Sequence, residues 1–506
     1  EDAFGATFPI LVDGEPVETE TPLVSFNPAR EGVVVGRTFA AGPAEADRAV
    51  AAALAGAEAW GARPAAERAS VLRGAADILR RRGGELAALA VHEVSKTWAE
   101  ADADIAEAID FCEYYAREMV RLGSPRRLGG LAGEENEYRY QPRGVAVVIS
   151  PWNFPVAIPA GMIAAALVAG NAVVFKPSER SPITAARLVE VFHDAGAPKS
   201  ALHYLPGDGP VGAHLVRHPG VALIAFTGSK RVGLDIVEAA ARTPEGQAGV
   251  KKVVAEMGGK NAIIVDADAD LDQAVAGVVA SAFGYQGQKC SACSRAIVVG
   301  AAQEPFLARL TEAARSLALG DPADPAVQLG AVIDDRARQT IEAYIANGRS
   351  EAVCRLEVDP PAGGSYVGPV IFTDAAPDAT VATEEIFGPV LTLFRARDFD
   401  EALELANASP YRLTGGVYSR DPAHLEAARR SFRVGNLYIN RPITGALVGR
   451  QPFGGFGMSG VGSKAGGPDY LLQFLEPVTI SENTIRRGFA PTPQPEDSAS
   501  GRLRDV

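Results

Sequence analysis

The sequence predicts an α/β protein built from two parallel-sheet domains. Three observations predict it. Short apolar runs alternate with helix-like stretches from Val145 to Tyr418. The apolar runs are continuous rather than alternating, as in strands covered on both faces. The chain has 506 residues and is 47% hydrophobic, enough for more than one core.

The elements follow in order. Residues 43–122 are rich in Ala, Leu, Glu and Arg, with apolar residues at helical spacing, and read as several helices. Residues 134–143 are polar and carry Tyr138 and Tyr140, which suits an extended arm. Strands are then expected at 145–149, 172–175, 202–205, 222–226 and 252–255, with helices at 159–168 and 182–195. A second set begins with a strand at 262–265 and a helix at 271–285. Units at 295–299, 305–317, 390–394, 399–406 and 415–418 continue it. The change of domain is expected near Gly258-Gly259. The residues from Ala490, rich in Pro, Ser and charge, read as a disordered tail.

Composition excludes several classes. A net charge of -13 argues against nucleic acid or an anionic membrane surface as a main partner. No apolar run is long enough to cross a bilayer, and the start does not read as a signal peptide. Four cysteines are too few for a disulfide scaffold, so a reducing, cytoplasmic setting is expected. The six histidines show no ligand spacing, and no metal is expected. The first residue is Glu1, which leaves open a longer polypeptide.

Two patterns bear on a nucleotide. Gly207-Asp208-Gly209-Pro210-Val211-Gly212 fits G-x-G-x-x-G after a strand. The acidic ribose reader expected about 20 residues on is missing, because the next strand ends Ala225-Phe226-Thr227-Gly228-Ser229. The better candidate is that second turn, which runs from strand to helix. Helix N-terminal amides and a serine hydroxyl suit a pyrophosphate.

Three further contexts carry chemistry. Cys290 lies in Gln286-Gly287-Gln288-Lys289-Cys290-Ser291, Glu256 opens Glu256-Met257-Gly258-Gly259-Lys260-Asn261, and Asn153 lies in Pro151-Trp152-Asn153-Phe154-Pro155. Taken singly these read as a buried cysteine, a solvated carboxylate and a turn residue. Together they supply a nucleophile, a base and an oxyanion donor, the parts that oxidise an aldehyde through a thioester. Cys293 forms Cys-x-x-Cys with Cys290, but the setting suits neither a thioredoxin-like nor a zinc motif. An inactivating disulfide between the two is the remaining expectation.

These three contexts, in this order, resemble the aldehyde dehydrogenase superfamily, from about residue 10 to about residue 487. The resemblance implies a Rossmann-type NAD-binding domain at 1–134 and 144–257 and a catalytic domain at 258–445. It also implies an oligomerisation flap at 135–143 and 468–487, with a substrate anchor loop within 446–467. Cys290, Glu256 and Asn153 would be catalytic. NAD would lie against Ile149, Pro151, Trp152, Lys176, Ser178, Glu179, Gly209, Thr227, Gly228, Ser229, Glu385 and Phe387. Lys176 and Glu179 would hold the adenosine ribose, and Glu385, in Glu384-Glu385-Ile386-Phe387-Gly388-Pro389, the nicotinamide ribose. A carboxylate at Glu179 repels a 2′-phosphate and favours NAD over NADP.

The C-terminal third, with Gly449-Arg450-Gln451-Pro452-Phe453-Gly454-Gly455 and Lys464-Ala465-Gly466-Gly467-Pro468-Asp469-Tyr470, resembles one branch of that family. That branch oxidises glutamate-γ-semialdehyde, formed from 1-pyrroline-5-carboxylate, to glutamate in proline catabolism. It implies that Gly466, Gly467 and Ser291 hold the α-carboxylate and Glu107 the ammonium, with Phe154 and Phe474 about the aliphatic stem. It further implies a homodimer or an assembly of dimers, and allows a fused or associated proline dehydrogenase. The alternatives are another semialdehyde dehydrogenase, such as one acting on succinate semialdehyde, or a catalytically silent protein on this fold.

Overall fold

The protein is described by a computed structural model covering residues 4–485. Two large sheets organise it. The first has eight strands. Five are parallel, in the spatial order Lys252–Glu256, Leu223–Thr227, Val145–Ile149, Ala172–Lys176 and Leu202–Tyr204. All of Ala172–Lys176 and nearly all of Val145–Ile149 and Leu223–Thr227 are buried, because helices cover both faces. Ile10–Val12 and Glu15–Val17 close one edge antiparallel, and Gly460–Val461 closes the other beside Lys252–Glu256. The last strand comes from the segment expected to be anchor loop, so that segment also extends the first sheet.

The second sheet has seven strands, in the order Val353–Glu357, Val370–Thr373, Val390–Ala396, Cys293–Val299, Asn261–Val265, Thr414–Tyr418 and Asn436–Ile439. Only its Val353–Glu357 edge pairs antiparallel. The chain leaves the first sheet after Glu256 and enters the second at Asn261, across Gly258-Gly259. A third, three-stranded sheet pairs Glu134–Pro142 with Leu475–Asn483 and Arg126–Arg127.

Three helices, Pro43–Gly61, Ala65–Val94 and Trp98–Leu122, precede Val145–Ile149, the first of the five parallel strands of that eight-stranded sheet. Leu72, Leu79, Leu86 and Val94 repeat at helical spacing and are fully buried. Arg68 is 5% exposed and is retained because its guanidinium donates to Val168 O and Gly61 O, closing the C-terminal ends of two helices at once. Thr97 caps the third helix by accepting from Glu100 N–H. Asp104, on that helix, accepts from Val156 N–H at 3.3 Å and Ala157 N–H at 2.9 Å. It thus anchors the start of helix Ala157–Val168, directly after the Asn153 segment.

One expectation is corrected. The helix expected at 271–285 ends at Phe283, and Tyr285 and Gln286 take left-handed backbone with φ of 52° and 54°. Several elements had no expectation: the N-terminal sheet of Ala6–Phe8, Val34–Phe39 and Pro22–Phe26, the helix Asp335–Glu351, and the strands Val370–Thr373 and Asn436–Ile439. Most are short, and periodicity over so few residues does not separate strand from loop. The expected disordered tail lies outside the described residues. Among the described residues no helix is long and apolar enough to cross a membrane.

Candidate active site

Cys290 stands at the end of a turn held under strain. Left-handed backbone costs a non-glycine residue roughly 1–2 kcal/mol, so consecutive Tyr285 and Gln286 need outside support. Tyr285 OH donates to Val94 O at 2.8 Å, and Gln286 Nε2 donates to Ala331 O at 3.0 Å and Ser95 O at 3.3 Å. Gln288 Oε1 accepts from Ile333 N–H at 3.0 Å. Beyond the turn, Asn261 Nδ2 donates to Cys290 O at 2.7 Å and Ala292 O at 2.9 Å. The nucleophile is therefore tied to both halves of the molecule.

Asn153 is 4% exposed, and its amide donates to Gln288 O at 2.9 Å. Burial, with the nearby carboxylates of Glu385 and Glu256, pushes the Cys290 thiol well above the ordinary cysteine range. The resting thiol is thus protonated, and attack needs a base. Glu256, the last residue of its strand, is held at about 8 by burial, against Gly455 N–H and Lys464. Its Oε2 is buried without a hydrogen-bond partner. Such a carboxyl is poised to exchange a proton with water or thiol near neutral pH.

A cleft of about 800 Å³ lies between the two sheets. It is lined by Cys290 and Asn153 and by all twelve residues expected at the cofactor: Ile149, Pro151, Trp152, Lys176, Ser178, Glu179, Gly209, Thr227, Gly228, Ser229, Glu385 and Phe387. Lys176 is 5% exposed with Nζ donating to Pro177 O, and burial lowers its pKa against Glu179 and Asp208. Ser229 caps helix Lys230–Ala241 by accepting from Val232 N–H, so that helix starts at the cleft. Asp208 caps Gly209–Arg217 in the same way. The G-x-G-x-x-G stretch thus opens a helix, and its Gly209 reaches the cleft.

Glu385 accepts from Gly259 N–H at 3.0 Å and is raised to about 7, mainly by burial. A side chain at Gly258 would overlap the Glu385 carboxylate. The domain crossing therefore has glycine where the carboxylate packs on the backbone. Phe387 has φ of 57° and meets Trp152 edge-on at 5.7 Å. Glu385, the N-terminus of helix Lys230–Ala241 and Lys176 with Glu179 all line this cleft, a set of groups that suits a dinucleotide.

The expected substrate residues are less uniform. Phe154 is half-buried beside Asn153. Glu107 is half-buried and held at about 8 by burial and then by Asp104. Ser291 is 7% exposed. Two expectations are corrected. Gly466 and Gly467 were to offer free amides, but Gly466 N–H donates to Tyr115 OH at 2.8 Å and Gly467 N–H to Lys464 O at 3.1 Å. Phe474 is 0% exposed and packs on Tyr470 in the core, where it presents no open face. Cys290 and Cys293 are both free, and the Cys293 thiol donates to Arg295 O and belongs to the second core with Ile263, Phe283 and Val298. Among the described residues no group of His, Cys, Asp or Glu forms a metal cluster.

Sequence reasoning missed Asn261, Gln288, Tyr115 and Lys96. Asn261 and Gln288 stand inside motifs that were recognised for other members. Tyr115 and Lys96 sit in helical sequence with no local signal.

An aldehyde oxidoreductase on an α/β fold of two large sheets is the class defined by Cys290 and Asn153 on the wall of this cleft, with the buried Glu256 carboxyl near enough to act on the Cys290 thiol electrostatically. The aldehyde dehydrogenase family model matches residues 15–480, and the chain belongs to that family. Among curated relatives, the 1-pyrroline-5-carboxylate dehydrogenase of Geobacillus kaustophilus (strain HTA426) is 49% identical over 485 residues, 95% of this chain and 94% of the relative. That of Bacillus subtilis (strain 168) is 46% identical over 481 residues, covering 94% and 93%. A solved 1-pyrroline-5-carboxylate dehydrogenase from Thermus with bound NAD superposes with a TM-score of 0.94 at 49% identity, covering 95% of this chain and 94% of that one. Proline utilization A (PutA) from Bdellovibrio bacteriovorus gives a TM-score of 0.95 at 47% identity, and there 97% of this chain spans 51% of the longer protein.

Proposed function

We propose that this protein oxidises L-glutamate-γ-semialdehyde, formed from 1-pyrroline-5-carboxylate, to L-glutamate with NAD as cofactor, a step of proline catabolism. The observation that carries the reading is that one cleft is lined by Cys290, Asn153 and the full cofactor set. The cytoplasm is the setting this reading assigns.

The chain's own groups divide the work. Glu256 draws the proton from the Cys290 thiol, and the Cys290 sulfur attacks the aldehyde carbon. The Asn153 amide and the Cys290 backbone N–H hold the oxygen as it gains charge. Bound NAD supplies the hydride acceptor. Glu385 and Lys176 hold its two riboses, and the N-terminus of Lys230–Ala241 its pyrophosphate. Glu256 passes the thiol proton to solvent, and once the thioester has formed the freed carboxylate takes a proton from water, hydroxide adds to the carbonyl carbon, and the carbon–sulfur bond breaks. Glutamate leaves and the sulfur regains its proton.

Glu107 meets the substrate ammonium, Ser291 the carboxylate, and Phe154 the aliphatic stem. The Gly466-Gly467 loop shapes the far wall, with Tyr115 fixing its fold. The exposed paired strands Glu134–Pro142 and Leu475–Asn483 are assigned to a homodimer, or to an assembly of dimers.

The test is NADH formation with 1-pyrroline-5-carboxylate, succinate semialdehyde and propanal, for wild type and Cys290→Ala. Turnover confined to the first substrate and lost in the variant supports the reading. Equal turnover on all three removes the substrate assignment and keeps the dehydrogenase.

A further inference from the structure

The end of helix Ala65–Val94 and the turn after it hold the nucleophile segment through three consecutive residues. Val94 O takes the hydroxyl of Tyr285, and Ser95 O takes the amide of Gln286. Ser95 also accepts from Ala331 N–H through Oγ at 2.8 Å. The third residue, Lys96, makes no polar contact of this kind. It is 0% exposed, and its Nζ has no hydrogen-bond partner.

A buried ammonium without a partner is costly, so its surroundings must compensate. Lys96 Nζ lies 3.8 Å from the centre of the Phe154 ring and 4.4 Å from that of Tyr285. The two rings meet edge-on at 6.5 Å. The cation therefore bridges two aromatic faces, where attraction is strongest once water is gone. Burial lowers the Lys96 pKa; Asp104 and Glu100, with a smaller part from Glu107, all on the following helix, oppose that shift and favour the ammonium, and Lys289 acts with burial. Lys289 is itself paired with Glu100 at 2.6 Å.

The two rings are not equivalent bystanders. Phe154 follows Asn153 in the chain. Tyr285 is the first left-handed residue of the turn that leads to Cys290. A charge that attracts both rings draws the oxyanion segment and the nucleophile segment toward one point.

We propose that Lys96 is a positioning residue: its ammonium, held between Phe154 and Tyr285, fixes the separation of Asn153 from Cys290 and so the approach of an aldehyde to the thiol. The inference rests on the aldehyde-oxidising reading of the cleft. It assigns Lys96 no contact with substrate or NAD, and it makes the charge, not only the bulk, the working part.

The experiment uses the purified full chain with Lys96→Met, which keeps the length and loses the charge, and Lys96→Arg, which keeps a cation. We expect Lys96→Met to lower kcat about 10- to 100-fold on both 1-pyrroline-5-carboxylate and propanal, the scale of a small misplacement of reacting groups. The NAD Kd stays at the wild-type value, and Lys96→Arg recovers part of the loss. Iodoacetamide modification at Cys290, followed by peptide mass spectrometry, is faster in Lys96→Met because the turn loosens. Lys96→Met and Phe154→Leu together cost less than the product of their separate effects.

A folded Lys96→Met with wild-type kcat and wild-type Cys290 alkylation overturns the proposal. So does equal impairment of Lys96→Met and Lys96→Arg, which would reduce Lys96 to a packing group. If Lys96→Met does not fold, Lys96→Gln carries the same readouts. Should wild type oxidise neither aldehyde, the functional reading fails, while the alkylation rate still decides the role of Lys96.

Discussion

The side-chain amide of Asn153 donates to the backbone carbonyl of Gln288 at 2.9 Å, two residues before Cys290. An asparagine amide carries two N–H groups. One is spent on orienting the amide against the nucleophile segment, and the other is left to meet an oxyanion. Asn153→Ala is expected to lower kcat about 100- to 1,000-fold, the usual effect of removing one oxyanion donor. Steady-state kinetics with wild-type-like NAD binding checks it. Wild-type kcat in the variant would move the oxyanion site elsewhere.

Glu256 sets a pH dependence. Burial raises its carboxyl to about 8, and only the unprotonated form can act as base. Below that value the proton is held more tightly than by an ordinary glutamate, so deacylation falls as pH falls. The rate should rise about tenfold per pH unit toward pH 8 and level off above it. Glu256→Gln should abolish that limb and, because the same carboxylate deprotonates the Cys290 thiol, suppress the NADH burst as well as turnover. Rapid-mixing absorbance checks it, and a full burst or sustained turnover in Glu256→Gln would assign the base to another group.

Gly258 packs against Glu385, the residue the proposed function sets at the nicotinamide ribose. A methyl group at Gly258 would overlap the Glu385 carboxylate, which accepts from Gly259 N–H. Gly258→Ala should displace Glu385 and weaken NAD binding about tenfold, the loss of one charged hydrogen bond. Calorimetric titration with NAD measures it. Unchanged affinity would show that the carboxylate moves aside without consequence.

Tyr115 supports the Gly466-Gly467 loop, which the proposed function places against the substrate. Its hydroxyl is the partner of Gly466 N–H, and both are buried. Tyr115→Phe leaves that N–H unsatisfied and should cost about 1–3 kcal/mol of stability. Thermal unfolding gives that number, and the KM for 1-pyrroline-5-carboxylate should rise with it while propanal kinetics change less. A KM that falls instead would mean that the freed amide binds the substrate carboxylate.

Glu179 bears on cofactor choice. It lines the cleft beside Lys176, exposed, where a 2′-phosphate would meet its charge. Glu179→Ala should narrow the preference for NAD over NADP about tenfold. The ratio of kcat/KM for the two cofactors reads it directly.

Much of the site was legible in the chain because motif chemistry is local. Cys290, Glu256, Asn153, Lys176 and Glu385 each stand in a short context with a physical reason, and all but Glu256 line the one cleft. The parallel strands were legible for a similar reason: a strand buried on both faces must be apolar throughout. The short N-terminal strands and the end of the helix at Phe283 were not, because a few residues carry no usable period and the left-handed turn at Tyr285 and Gln286 is imposed by distant acceptors.

The sequence alone therefore determined which groups can react and the order in which two α/β halves hold them, since both follow from residue type and spacing. Tertiary structure decided what those groups are free to do. Gly466 and Gly467 have the right chemistry for an anion, yet Tyr115 and Lys464 take their amides. Cys293 sits three residues from the nucleophile, yet its thiol faces the second core. Lys96 carries no local signal in the sequence, yet it is enclosed between Phe154 and Tyr285. Hydrogen-bond competition and burial are set by neighbours far away in the chain, and no local pattern encodes them.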